Sequence, residues 1–211
     1  MTNLESVWAE ILDKACDYIA CLLGIASTRH EGSYCRIQPE NAAMLTSSIL
    51  SPSDCTAQAL ADFEKLVIEG GAVDPQGLTQ RIRSAYRLLF LRAPDGQLVG
   101  VGALKRPRPG YRNRVFAEAR ATTPPDGYCV ELGWVVVAKS QQGRRLWTRI
   151  VDELIAAAKN GNVFATVRAD KRGMRFASDH GFELNGKPYP SGRGYDLVLY
   201  LRNAARFPSA K

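Results

Sequence analysis

The sequence predicts an α/β sandwich with a mostly antiparallel central sheet, a single parallel β-α-β crossover and an N-terminal helical extension, and three observations carry that prediction. Tyr86–Arg92 and Leu98–Lys105 are apolar runs flanking Pro94-Asp95-Gly96, which is turn chemistry for an antiparallel hairpin. Cys129–Ala138 is a valine-rich, nearly unbroken apolar run, as expected of a central strand covered on both faces. It leads through a short polar turn into a stretch with helical spacing, and a further strand follows at Asn162–Arg168, the order that makes a crossover.

The elements read in order as follows. From Trp8 to Leu23, Trp8, Ile11, Leu12, Ala15, Ile19, Leu22 and Leu23 recur at helical spacing, with Glu10, Asp13, Lys14 and Asp17 on the wet face and Gly24 as the stop. Tyr34–Gln38 is a strand candidate, and Pro39–Ile49 a helix candidate with proline in its first turn. Ser53 or Asp54 should cap a helix carrying Leu60, Phe63, Leu66 and Val67 that stops at Gly70-Gly71, and Asp74-Pro75 should open another through Leu78 and Ile82. After the hairpin comes a basic loop, Lys105 to Arg120. The helix beyond the valine-rich strand should bury Leu146, Trp147, Ile150, Val151, Leu154 and Ile155. Asp170 is placed to cap a helix over Met174–Ser178, Gly181-Phe182 leads into a strand, and Tyr195–Arg202 is the last strand. Expected boundaries are 1–50 for the extension, 51–205 for the domain and 206–211 for a tail.

Composition narrows the function classes. At 211 residues, 45% hydrophobic and 23% charged, the chain has the make-up of a soluble globular protein. Five cysteines, odd in number and without a C-x-x-C pair, argue against a disulfide framework or a zinc site, and two histidines argue against a multi-histidine metal centre. No basic segment followed by an apolar core marks a signal peptide, and Tyr18–Ala26, the longest apolar run near the start, is too short to span a bilayer, so a cytoplasmic location is expected. The net charge of +7 admits an anionic ligand or nucleic acid, with Lys105, Arg106, Arg108, Arg112 and Arg114 as the concentrated patch.

The segment VELGWVVVAKSQQGRRLWTRIVDEL, Val130 to Leu154, makes an anion site by elementary physics. Backbone amides exposed at a turn meet the positive end of a helix dipole, and Arg144, Arg145 and Arg149 lie beside them. Its spacing, with Glu131 six residues before Val137 and Gln142-Gly143 five and six after it, resembles the cofactor segment of the GNAT family of acyl-CoA-dependent N-acetyltransferases. Arg145 and Trp147 stand where that pattern has small residues. Residues 163–182, VFATVRADKRGMRFASDHGF, are similar to the family's strand-helix motif ending in Gly-Phe, and the resemblance covers roughly Leu60 to Arg202.

The resemblance implies acetyl-CoA as co-substrate, with its pantetheine arm in a gap between the two parallel strands against the backbone of Val135, Val136 and Val137. Its pyrophosphate would lie on the turn formed by Gln142, Gly143, Arg144, Arg145, Leu146, Trp147 and Thr148. It also implies transfer of an acetyl group to a primary amine, with Glu131 as general base. A carboxylate on an otherwise apolar strand suits that work, although it equally suits an ion pair with the basic stretch. The tyrosine that protonates the leaving thiolate in relatives is replaced by Ala177 and the motif's asparagine by Lys171, so Tyr189, Ser191 and Tyr195 are the substitutes on offer. His180 reads as a helix-end residue, and Cys129 as a small buried one. Alternatives are an acceptor amine on nucleic acid, such as aminoacyl-tRNA, and a catalytically silent module that holds CoA as a structural ligand or serves as a basic interaction domain. A homodimer is compatible with the extension.

Overall fold

The computed structural model describes residues 45–159, 161–170 and 180–204. The expected helix over Trp8–Leu23, the strand at Tyr34–Gln38 and the helix over Met174–Ser178, with Lys171 and Ala177, lie outside the described residues.

Thr46–Leu50 (β1) opens the sheet, followed by helices Ala57–Glu69 (α1) and Leu78–Arg83 (α2), strands Arg87–Arg92 (β2) and Leu98–Lys105 (β3), and helix Pro109–Glu118 (α3). Strand Val130–Val137 (β4), helix Leu146–Ala157 (α4) and strand Val163–Arg168 (β5) form the crossover. Glu183–Leu184 (β6), Tyr189–Pro190 (β7) and Asp196–Arg202 (β8) complete the described sheet. The strand order is β1-β2-β3-β4-β5-β8-β6, with β7 also on β8, and every pairing is antiparallel except β4 with β5. This is the mixed sheet with one parallel crossover that the sequence predicts.

Alternation along the strands sorts side chains onto two faces. Leu89, Leu91, Leu104, Leu132, Val163, Ala165, Val198 and Tyr200 meet Leu146, Ile150, Val151 and Leu154 of α4. Bare Cα positions at Gly100 and Gly102 let Ile150 settle close to β3. The opposite face carries two separate apolar clusters. One lies beneath α1 and α2, built on Phe63, Leu78, Ile82, Leu88, Phe90 and Val101, and the other beneath α3, built on Val115, Phe116, Phe164, Tyr189, Leu199 and Leu201. Between them runs a seam over β4 and β5.

Several local expectations are corrected. Residues 46–50 form a strand rather than the end of a helix from Pro39, because pairing along β2 from Thr46↔Arg92 to Leu50↔Leu88 overrides the local signal. The sheet therefore begins within the segment assigned to the extension. Thr56, whose hydroxyl accepts the Ala59 N–H at 3.1 Å, caps α1, while Pro52–Asp54 is a 3₁₀ turn. Asp74 takes the Gln76 N–H and α2 starts only at Leu78, after Gly77. The basic loop contains a helix, α3, with Pro109 in its first turn and Val115 and Phe116 turned inward. Trp147, expected to be buried, is 36% exposed, because the apolar stripe of α4 runs through Leu146, Ile150, Val151 and Leu154.

Candidate active site

β4 pairs with β5 at Val130↔Val163 and Glu131↔Phe164 and no further. Beyond that point β4 stays with β3 and β5 stays with β8, so the two parallel strands part and a gap opens along Gly133–Val137. A bulge accompanies the parting. Val101 pairs with Val136 and Ala103 with Gly133, leaving β4 one residue longer than β3, and Trp134 takes up the surplus with φ +54. Both Gly133 and Trp134 consequently face the α1–α3 side, and Trp134 packs edge-on against Phe63.

At the far end of β4 the chain passes through a 3₁₀ turn, Lys139–Gln141, and then through two left-handed residues, Gly143 at φ +83 and Arg145 at φ +58, before α4 begins. Left-handed backbone is free for glycine and strained for arginine. Arg145 thus keeps a glycine-like conformation at the position where the resembled pattern has a small residue. The first intrahelical bond runs from the Arg149 N–H to the Arg145 carbonyl, so the opening turn of α4 has no intrahelical acceptors for its own amides. Arg144 is tied to Gln141 at 2.9 Å, and Gln142 donates weakly to the Val137 carbonyl at 3.4 Å. Arg149 is turned away, bonded to Glu153 at 2.8 Å and to the Leu45 carbonyl at 3.2 Å. The turn presents backbone N–H groups with the Arg144 and Arg145 side chains alongside, a donor set suited to a diphosphate, and beyond Glu131 the β4 backbone edge is no longer paired with β5.

At the near end, Glu131 is 2% exposed and sits in the seam. Lys105 Nζ lies 2.6 Å from its Oε1, and the hydroxyls of Tyr111 and Thr166 reach the same oxygen at 3.3 and 3.5 Å. The ion pair with the basic stretch, one of the two readings of this residue, is therefore formed. Space for it comes from Gly133, where an added Cβ would stand 2.9 Å from Lys105 Nζ. The Trp134 ring lies 5.3 Å from the same ammonium. Tyr189 is 4% exposed, and its hydroxyl finds no hydrogen-bond partner among the described residues. Burial first, and the Glu131 charge next, push the Tyr189 hydroxyl well above the usual phenol range. The same two causes, in the same order, act on Tyr111, with a smaller push from Tyr189.

The remaining sequence-predicted residues fall elsewhere. The Ser191 hydroxyl is engaged in the β7–β8 turn, donating to the Tyr195 carbonyl and accepting the Arg193 N–H. The Tyr195 ring is stacked by Arg168 at 4.0 Å. Cys129 is exposed rather than buried, beside Arg112 and the Asp126 carbonyl. His180 Nδ1 meets Asp152 of α4 at 2.9 Å. In the basic stretch, Arg112 pairs with Asp126 at 3.2 Å, Arg114 with Glu118 at 3.9 Å, and Arg106 lies over the Tyr86 ring, while Arg108 is exposed. Sequence reasoning missed Lys105 as the partner of Glu131, together with Thr166. The register Lys105↔Glu131 across β3 and β4 is the fact that joins the first pair. No helix of the described residues is long and apolar enough to cross a membrane.

Residues 60–182, more than half of the chain, match the model of the Acetyltransferase (GNAT) family. Among solved structures, an acyl-CoA N-acyltransferase from Pseudomonas aeruginosa is similar over 75% of this chain and 99% of its own, at 18% identity and a TM-score of 0.55. ElaA of Escherichia coli is similar over 76% and 100%, at 15% identity and a TM-score of 0.55. FeeM, an N-acyl amino acid synthase from uncultured soil microbes, is similar over 77% and 92%, at 12% identity and a TM-score of 0.60. At such identities the likeness is one of fold. No curated protein matches the sequence significantly.

Proposed function

Starting from a chain that belongs to the GNAT acetyltransferase family, we propose that it transfers an acetyl group from acetyl-CoA to the primary amine of a small acceptor by direct attack, with Glu131 as general base. The observation that carries this reading is the parting of β4 and β5 immediately beyond Glu131, which sets a buried carboxylate at the head of the gap between the two strands. Acetyl-CoA supplies the activated acyl group. Everything else falls to the chain.

Val135, Val136 and Val137 offer the backbone edge of β4 that β5 has left, and the amide of the bulged segment near Val135 is the donor for the developing oxyanion. Gln142 to Thr148 hold the diphosphate, with the Arg144 and Arg145 side chains adding charge-assisted bonds. Lys105, Tyr111 and Thr166 all engage Oε1 of Glu131, so Oε2 is the oxygen that takes the proton from the attacking amine, directly or through one water. Tyr189, buried and firmly protonated, is the better placed of the candidate proton donors to the leaving thiolate, since Ser191 is occupied by its turn. An acceptor borne on nucleic acid has less support, because Lys105, Arg112 and Arg114 are already paired with carboxylates.

The test is a thermal-shift and calorimetric titration with acetyl-CoA, CoA and ATP, followed by an amine screen with Glu131→Gln as control. Ligand at about 100 times its dissociation constant should stabilise the fold by about 2.7 kcal/mol. Selective stabilisation by acetyl-CoA and CoA, with turnover lost in Glu131→Gln, is the expected result. Indifference to both CoA species would overturn the reading.

A further inference from the structure

Among the described residues, the seam holds a buried carboxylate and a half-buried ammonium bonded to each other. Glu131 and Lys105 have side chains only 3% and 16% exposed, and the neighbouring guanidinium groups of Arg112 and Arg114 are committed to Asp126 and Glu118. Lys105 is kept in place by the opening at Gly133 and by the face of Trp134. An amine acceptor arrives as an ammonium and has to come to Glu131. A plain alkylamine would then set two cations against a single carboxylate in a site with little water, where like charges repel strongly and an uncompensated buried charge is costly. An acceptor that brings its own carboxylate removes the conflict. Its amine takes Glu131, its carboxylate takes Lys105, and the internal ion pair is exchanged for two new ones with no change in the net charge of the site.

We infer that the acceptor is an α-amino acid, held by Lys105 at its carboxylate and by Glu131 at its amine. The inference rests on the acyl-transfer reading given above. An α-amino acid has its two charged groups on one carbon, which suits partners that touch each other in the empty site. In the reaction the ammonium gives one proton to Glu131, the freed amine nitrogen forms the new bond to the acyl carbon as the carbon–sulfur bond breaks, and the second proton shed by the nitrogen ends on the thiolate, which leaves as CoA thiol. The amino acid's carboxylate does not react. Lys105 is thereby a specificity-determining residue that binds substrate.

The experiment is calorimetric titration of the full chain, alone and with saturating CoA, with a panel of L-amino acids each paired with its own carboxamide. It is run on the wild type, Lys105→Met and Lys105→Arg, with kcat/KM for acetyl transfer to the same pairs. At least one amino acid should bind the wild type about tenfold or more better than its amide. Lys105→Met should erase that preference in both binding and kcat/KM, and Lys105→Arg should keep it. Equal binding of acids and amides, no binding of any amino acid, or a preference that survives in Lys105→Met overturns the inference. If Lys105→Met does not fold, the wild-type ratio of acid to amide decides alone. A protein that binds acetyl-CoA yet shows no acid preference loses this inference and keeps the transferase reading. One that ignores acetyl-CoA loses the transferase reading, while the amino-acid titrations still report on Lys105.

Discussion

The two ends of β4 do their work with different materials. At its start, Lys105 of β3, Tyr111 of α3 and Thr166 of β5 meet Oε1 of Glu131, a carboxylate nearly shut off from water whose charge also raises the Tyr189 hydroxyl of β7. At its end, the turn before α4 is exposed, and its capacity for an anion lies in backbone conformation, with left-handed residues at Gly143 and Arg145. A diphosphate presents the same oxygens whatever acyl group it carries, so a fixed backbone cradle serves it. Discrimination among acceptors needs directional side chains and buried charge. Substitutions at the first end should therefore change turnover and selectivity, and at the second should change affinity for the co-substrate.

Glu131→Gln tests the contrast most severely. Loss of the base should lower kcat by roughly 10²- to 10⁴-fold while acetyl-CoA affinity stays as it was; an equal fall in affinity, read by calorimetry, would erase the distinction between the ends. Gly133→Ala is next. The new methyl meets only the flexible tip of Lys105, so the protein should fold, but the ammonium is pushed off Glu131 at a cost of about 1–3 kcal/mol in denaturant unfolding. An unchanged unfolding midpoint would show that the ion pair is idle.

At the other end, Arg145→Gly relieves a left-handed arginine and should raise stability by about 1 kcal/mol, while acetyl-CoA binding weakens by the loss of one guanidinium. Stabilisation together with tighter binding would mean that the cradle works by backbone alone. The smallest effect concerns alkali. Burial raises Tyr111, Tyr189 and Tyr200 above the unfolded value of about 10. The native state therefore retains protons that the unfolded chain releases. Stability is intact below pH ~10 and falls as pH rises beyond it. Spectroscopic titration of the folded protein should show Tyr111, Tyr189 and Tyr200 ionising late; ionisation of these three near pH ~10 would contradict the closed seam.

What could be read in advance was whatever is written in consecutive residues. The valine run, the Gln142-led turn and the stripe on α4 are local patterns, and the hairpin at Pro94-Asp95-Gly96 is local chemistry. Lys105 and Glu131 are far apart in the chain, and their pairing depends on the register of β3 against β4, which no periodicity encodes. Thr166 enters through the two-residue parallel pairing of β4 with β5, still less visible. The missed helix α3 was within reach, since Pro109 at its start and Tyr111, Val115, Phe116 and Ala119 at helical spacing carry the signal; the density of arginines obscured it. β1 had no such signal, because Thr46-Ser47-Ser48-Ile49-Leu50 becomes a strand by lying along β2.

The surplus residue at Trp134 also bears on how this strand can evolve. Along β4, Leu132, Val135 and Val137 belong to the layer under α4, and Trp134 and Val136 to the opposite layer. Leu132 and Val135, three residues apart, share a layer only because Gly133 and Trp134 both face the other one. Removing one residue at the bulge would restore strict alternation and leave Val135, Val136 and Val137 on the layers they occupy now. The bulge thus acts as a slack link: it sets the length of chain between Glu131 and the turn at Gln142 without altering which core each valine serves.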